Sequence, residues 1–94
     1  MEQEPSAVLA CEWSKRPKGA PTFGDLAGSL RSVRRADGEL LVEYDPCEAE
    51  RLAELIAAER LCCAQIGWRV DRATVRITAA PEQLDVLEQV VRTP

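Results

Sequence analysis

The chain contains no histidine. That removes the commonest general base and the commonest nitrogen ligand for metals, and with them any Ser-His-Asp or Cys-His arrangement. A glycine-rich phosphate loop is also missing. Aromatic residues make up only 4% of the sequence, so a core must be assembled from Leu, Val, Ile and Ala. No apolar run approaches the ~20 residues that a membrane span needs. The opening segment, MEQEPSAVLA, lacks the basic region of a signal peptide, so the expected compartment is cytoplasmic and no membrane partner is expected. An excess of positive charge is lacking too. A net charge of −4 argues against nucleic acid as a partner, which usually demands a basic surface. The local clusters Lys15-Arg16-Pro17-Lys18 and Arg31, Arg34 and Arg35 read as solvated loop or strand faces rather than phosphate sites.

What is present is ordinary globular material, 46% apolar and 30% charged over 94 residues. A chain this short rarely divides its core, so residues 1–94 read as one domain, with residues 1–6 as a frayed polar tail. AVLACEW (7–13) reads as a strand with Leu9, Cys11 and Trp13 on one face. The segment 14–22 is a loop with two prolines and a glycine. Thr22 then caps a short helix over FGDLAGSL, with Asp25 three residues on and Phe23, Leu26 and Leu30 turned inward. SVRRADGELLVEYD reads as a hairpin about Asp37-Gly38. The clearest helix runs from Asp45 to Gly67: Asp45 caps, Pro46 takes the first position, Glu48 completes a capping box and Gly67 stops it. WRVDRATVRITA alternates as a second hairpin, with Trp68, Val70, Val75 and Ile77 inward. Pro81 opens a last helix burying Leu84, Leu87 and Val91. The expected class is α+β in the order β-α-β-β-α-β-β-α, an antiparallel sheet with helices on one face.

Chemistry rests with four cysteines. Cytosolic thiols stay reduced, so they read as metal ligands, redox groups or core filler rather than structural disulfides. Cys47 sits in the first turn of the long helix, where the dipole favours a thiolate, and about 22 Å of helix separates it from the later pair. Cys62 and Cys63 are adjacent, and adjacent helical residues do not face each other; both reach one ion only if the helix loosens before Gly67. The negative helix end opposes thiolate formation there, so Arg60, Arg69 or a bound cation must supply positive potential. Cys11, on the inward face of its strand, offers a third sulfur. Glu59 falls in the apolar stripe of Leu52, Leu55, Ile56 and Cys63. There it is either a wet carboxylate at the edge of the buried face or an oxygen ligand or proton acceptor, and burial would require a partner.

The early LAC segment, the DG hairpin and LAELIAAERLCC followed by two strands and a helix resemble a family of small bacterial domains, mostly uncharacterised. These occur alone or attached to MerR-type regulators in metal-resistance settings. Their features are a cysteine on the first strand and a Glu-x-x-Cys-Cys motif late in a helix, which fall here on Cys11, Glu59, Cys62 and Cys63. Where the family has proline and aromatic residues after the pair, this chain has Ala64, Gln65 and Ile66, and its loop 14–22 is longer. The resemblance implies a thiol-centred site without naming a reaction.

The leading expectation is a binding module for a soft metal or metalloid ion such as Hg(II), As(III), Cu(I) or Zn(II). Its ligands would be Cys11, Cys62 and Cys63, with Glu59 as fourth ligand or outer partner. Sequestration, delivery or sensing fits such a module better than catalysis. The alternatives are a non-enzymatic structural or interaction domain, homodimeric and with the cysteines as core filler, and a thiol redox protein.

Overall fold

Alternation of apolar and polar residues builds the sheet. In the computed structural model, which describes residues 11–94, strands β1 (Leu30–Ala36), β2 (Glu39–Tyr44), β3 (Gly67–Asp71) and β4 (Thr74–Thr78) form one antiparallel sheet in the order β1-β2-β4-β3. Three helices accompany it: α1 (Phe23–Leu26), α2 (Ala49–Cys62) and α3 (Pro81–Arg92). The class is α+β in the order α-β-β-α-β-β-α.

The register explains which side chains enter the core. Val33, Val42, Val75 and Val70 stand opposite one another across the four strands, and so do Arg35, Leu40, Ile77 and Trp68. A period of two places both rows on one face. Leu40, Val42, Val75 and Ile77 are fully buried there, and Trp68 nearly so. The row Arg34, Leu41, Arg76 and Arg69 takes the other face, where all three arginines are exposed. Arg35 belongs to the buried face by register but lies at its β1 edge, where it reaches Asp85 of α3 at 2.7 Å and the Pro81 carbonyl at 3.0 Å. Its guanidinium thus ties the last helix to the edge strand.

Helix α2 buries Leu52, Leu55, Ile56, Ala58, Glu59 and Cys62 and packs against β3. Helix α3 buries Leu84, Leu87 and Val91 as expected, and packs against α1 and β2. The capping box on α1 is present in both directions, Asp25 N–H to Thr22 Oγ1 at 3.1 Å and Thr22 N–H to Asp25 Oδ2 at 2.9 Å. Both hairpins form on two-residue turns. Gly38 takes a positive φ of 71° in the first, and Arg72 takes 55° in the second, a conformation that costs a side-chain-bearing residue about 1 kcal/mol or more.

Four expectations are corrected. The leading strand 7–13 is not found among the described residues: 7–10 lie outside them, Cys11 and Glu12 belong to no strand, and Trp13–Lys15 form a 3-10 turn. The short first helix stops at Leu26 and continues as a 3-10 turn, leaving Leu30 to start β1. The long helix begins with a 3-10 turn at Pro46–Glu48 in which Asp45 accepts from Cys47 N–H, while Glu48 pairs with Arg51 at 3.0 Å instead of closing a capping box. The same helix ends at Cys62, five residues before Gly67. Gly67 serves another purpose: a Cβ there would lie 3.2 Å from Thr78 Cβ on the neighbouring strand, so it permits close pairing rather than stopping a helix.

Tyr44 is 2% exposed, and its hydroxyl has no hydrogen-bond partner among the described residues. Burial pushes its pKa up from 10.0 to about 12. A group that holds its proton more tightly when folded contributes stability that is intact below its unfolded value and is lost as pH rises through its folded one. Tyr44→Phe is therefore expected to hold or raise neutral-pH stability by up to about 1 kcal/mol, because an unpaired buried hydroxyl is removed. It should also flatten the decline in stability above pH 10, measured by urea unfolding across an alkaline series. A loss of more than about 1 kcal/mol at neutral pH would mean that the hydroxyl has a partner.

Candidate three-thiol site

The site forms where α2 ends. Glu59, one turn before the end, still lends its carbonyl to Cys63 N–H at 2.6 Å. Cys63 itself leaves the helix, with φ −115° and ψ 61°. That departure turns the second thiol back toward the first, and the two Sγ atoms lie 3.9 Å apart. A helix end also exposes carbonyls that need donors. Cys62 C=O receives Glu12 N–H at 2.7 Å, and Cys63 C=O receives the Trp68 indole N–H at 3.0 Å. The first of these bonds docks the N-terminal segment onto the helix end and brings Cys11 with it.

The sulfurs of Cys11, Cys62 and Cys63 all lie within 4.8 Å of one another, a grouping able to hold a metal ion. Three sulfurs each roughly 2.3 Å from a shared ion would stand about 4 Å apart in a trigonal arrangement; Cys62 and Cys63 already have that spacing at 3.9 Å, whereas Cys11 and Cys63 would have to separate on reduction. Cys62 and Cys63 are 2% and 1% exposed, and Cys11 is half-buried. The expectation of reduced thiols needs correction in one respect. Cys11 and Cys63 lie at disulfide distance with Cα atoms 4.3 Å apart, while Cys62 and Cys47 are free. No spacing in the sequence signals this pairing, because it follows from the docked segment.

Glu59 is the buried carboxylate of the core, 8% exposed. Its partner is Arg16, whose Nη1 approaches Glu59 Oε1 at 2.5 Å with both side chains about nine-tenths buried. Arg16 also donates to the Pro21 carbonyl, so the loop wraps its guanidinium on two sides. The other carboxylate oxygen, Glu59 Oε2, lies 3.4 Å from Cys63 Sγ, in reach of its thiol proton once that sulfur is reduced. Burial pushes the Glu59 pKa up, and the hydrogen bond and charge of Arg16 pull it part of the way back. Burial, then the charge of Glu59, pushes the Cys62 thiol up, against the opposing pull of Arg16. Phe23 stacks on Trp68 with ring centroids 6.1 Å apart, which fixes the indole that caps Cys63.

Two sequence expectations change. Positive potential comes from Arg16, a member of the cluster read as solvated, and not from Arg60 or Arg69. Arg60 instead donates to the Trp68 carbonyl at 3.0 Å. Only the demand that a buried Glu59 find a cation pointed toward such a residue. Cys47 is exposed and lies outside the sulfur cluster. Its thiol is pushed up, first by its hydrogen bond to Asp45 and then by burial and the charges of Asp45 and Glu48; these outweigh the helix end expected to favour a thiolate. Comparison with protein-family models, curated proteins and solved structures finds no match for this chain.

Arg16→Met is expected to cost about 3 kcal/mol or more at neutral pH, because it strands the Glu59 charge. Glu59 has a folded pKa raised above its ordinary value, so its protonation favours the folded state. Without Arg16 the cost should shrink as pH falls toward 5, since the neutral acid needs no cation. Arg16→Met/Glu59→Leu should recover most of the loss at pH 7, as a hydrophobic replacement of a buried pair commonly does. Chemical denaturation at pH 7 and 5 measures all three. An Arg16→Met cost below about 1 kcal/mol, the range of exposed pairs, would contradict the buried-pair account.

Proposed function

We propose that this protein is a thiol-based binding module for a soft metal or metalloid ion, held by Cys11, Cys62 and Cys63. The observation that carries the reading is the convergence of three sulfurs from two separate segments within 4.8 Å. Thiolates select soft ions, and a metal supplies the positive potential that deprotonates its own ligands. Glu59 acts as an outer partner that accepts the Cys63 thiol proton in the reduced, ion-free protein, with its charge held by Arg16. The function is sequestration, delivery or sensing. Kinship with the small bacterial domains that carry Glu-x-x-Cys-Cys belongs to the same proposal. Its support is that Glu59, Cys62, Cys63 and Cys11, which carry the resemblance, lie together in space.

The Cys11–Cys63 pair favours a second reading, a thiol redox protein in which Cys62, 3.9 Å from Cys63 Sγ, serves as the exchanging thiol. Its weakness is electrostatic. Exchange needs a thiolate at an accessible sulfur, and Cys62 is buried with its thiol pushed up. The disulfide and the ion compete for the same sulfurs, so oxidation would close the binding site.

Thermal unfolding of the fully reduced protein separates these readings. A ligand that binds only the native state at a hundredfold excess over Kd adds about 2.7 kcal/mol, which for a domain of this size raises Tm by roughly 10 °C or more. The parent and Cys47→Ser should both show this rise with a thiophilic ion. Cys62→Ala/Cys63→Ala should show none, and should also be less stable without ion because small voids replace buried thiols. A parent protein whose Tm ignores every thiophilic ion would sink the binding reading and leave the cysteines as packing or redox groups.

A further inference from the structure

Charge balance at the site identifies the class of ion. The Arg16–Glu59 pair joins at 2.5 Å and sums to zero. Glu12, at the docking point, pairs with Lys15 at 3.3 Å and is solvent-exposed. Arg60 keeps its positive charge, since the Trp68 carbonyl it donates to is neutral, but it is exposed and screened by solvent. Arg16 is the cation whose charge acts on the Cys62 thiol, and Glu59 matches it. Two of the three sulfurs, those of Cys62 and Cys63, belong to residues at most 2% exposed. A buried centre with net charge and no counter-ion carries a large desolvation penalty.

Three thiolates around a monovalent ion leave a charge of −2, and around a divalent ion −1. Around a trivalent ion they leave zero. From this the geometry points to a trivalent metalloid of the arsenite class, As(III) or its heavier congener Sb(III), as the ion that engages all three sulfurs, with the Arg16–Glu59 pair keeping the surroundings neutral. The assignment rests on the three-thiol reading above and narrows it.

The exchange balances without an oxidant or a net proton. Arsenous acid, As(OH)3, meets three thiols. Three As–O bonds break, three As–S bonds form, and each thiol proton leaves with one hydroxide as water, giving three waters and a neutral As(S-Cys)3 centre. A divalent ion taking the same three thiols would release three protons and leave a buried anion. It satisfies charge by taking two sulfurs and leaving the third as a thiol. Because a Cys11–Cys63 disulfide would consume two of the ligands, a dithiol reductant must first supply two electrons and two protons to restore both thiols, itself becoming a disulfide, before the protein takes the metalloid.

The test uses the full chain, reduced and desalted under nitrogen, with sodium arsenite or cadmium chloride added singly and together. Native mass spectrometry of the parent with arsenite should show a gain of one arsenic and a loss of three hydrogens. Competition should then be repeated on Glu59→Gln, which leaves Arg16 as an unmatched positive charge beside the sulfurs. That substitution should move the preference toward Cd(II) by at least about tenfold, the scale of one unit charge a few ångströms away. Arsenic retained with a hydroxyl and only two thiols, or a preference that Glu59→Gln leaves unmoved, would overturn the assignment. Cd(II) binding by the parent would in that case keep the three-thiol reading alive, whereas a parent that binds neither ion would end both. Should Glu59→Gln fail to fold, the mass gained by the parent decides between three thiols and two.

Discussion

A helix that ends in the interior must dispose of its last carbonyls, and the end of α2 organises this protein. A regular helix would hold Cys62 and Cys63 about 100° apart around its axis. By leaving the helix at Cys63 the chain turns both sulfurs to one place, 3.9 Å apart, and in doing so it frees two buried carbonyls. One is answered by Glu12 N–H and the other by the Trp68 indole. The first donor anchors the N-terminal segment and delivers Cys11; the second anchors the start of the second hairpin. The sulfur cluster and the local tertiary structure are thus two results of one hydrogen-bonding requirement.

The second constraint is the carboxylate next to it. Glu59 lies one turn before Cys63, inside the apolar stripe of α2, and cannot stay charged there alone. Arg16 meets it, and the Pro21 carbonyl holds the guanidinium from the other side. The prolines and glycine of the loop 14–22 therefore shape a short wrap that carries a cation into the core. An ion pair that cancels itself leaves neutral surroundings beside the sulfurs, the feature on which the proposed choice of ion rests.

Much of the fold was legible because its signals are local. Alternation placed Val42, Leu40, Val75 and Ile77 on the buried face, Asp37-Gly38 marked the first hairpin, and Thr22 with Asp25 marked α1. The site was legible in its residues, Cys11, Cys62, Cys63 and Glu59, but not in its mechanics. AVLACEW alternates like a strand, yet Glu12 satisfies its N–H on a helix end rather than in a ladder. Gly67 resembles a helix stop, but α2 ends at Cys62, where Glu12 and Trp68 answer the freed carbonyls, and Gly67 packs against Thr78. Arg16 could not be told from Lys15 and Lys18 by sequence, since only burial distinguishes them. Cys47 looked activated by a helix end, and the nearby Asp45 and Glu48 reversed that. In each case a long-range or electrostatic partner outweighed a local pattern.

X-ray absorption at the arsenic edge of reduced, arsenite-loaded protein tests most directly whether three sulfurs from two segments serve one ion. The account predicts three sulfur neighbours at roughly 2.3 Å, the distance typical of a metal–thiolate bond, and no oxygen. Replacement of Cys11 by Ser should remove one of them. A shell of two sulfurs and an oxygen in the parent protein, unchanged by Cys11→Ser, would show that the docked N-terminal thiol takes no part, and would contradict the account.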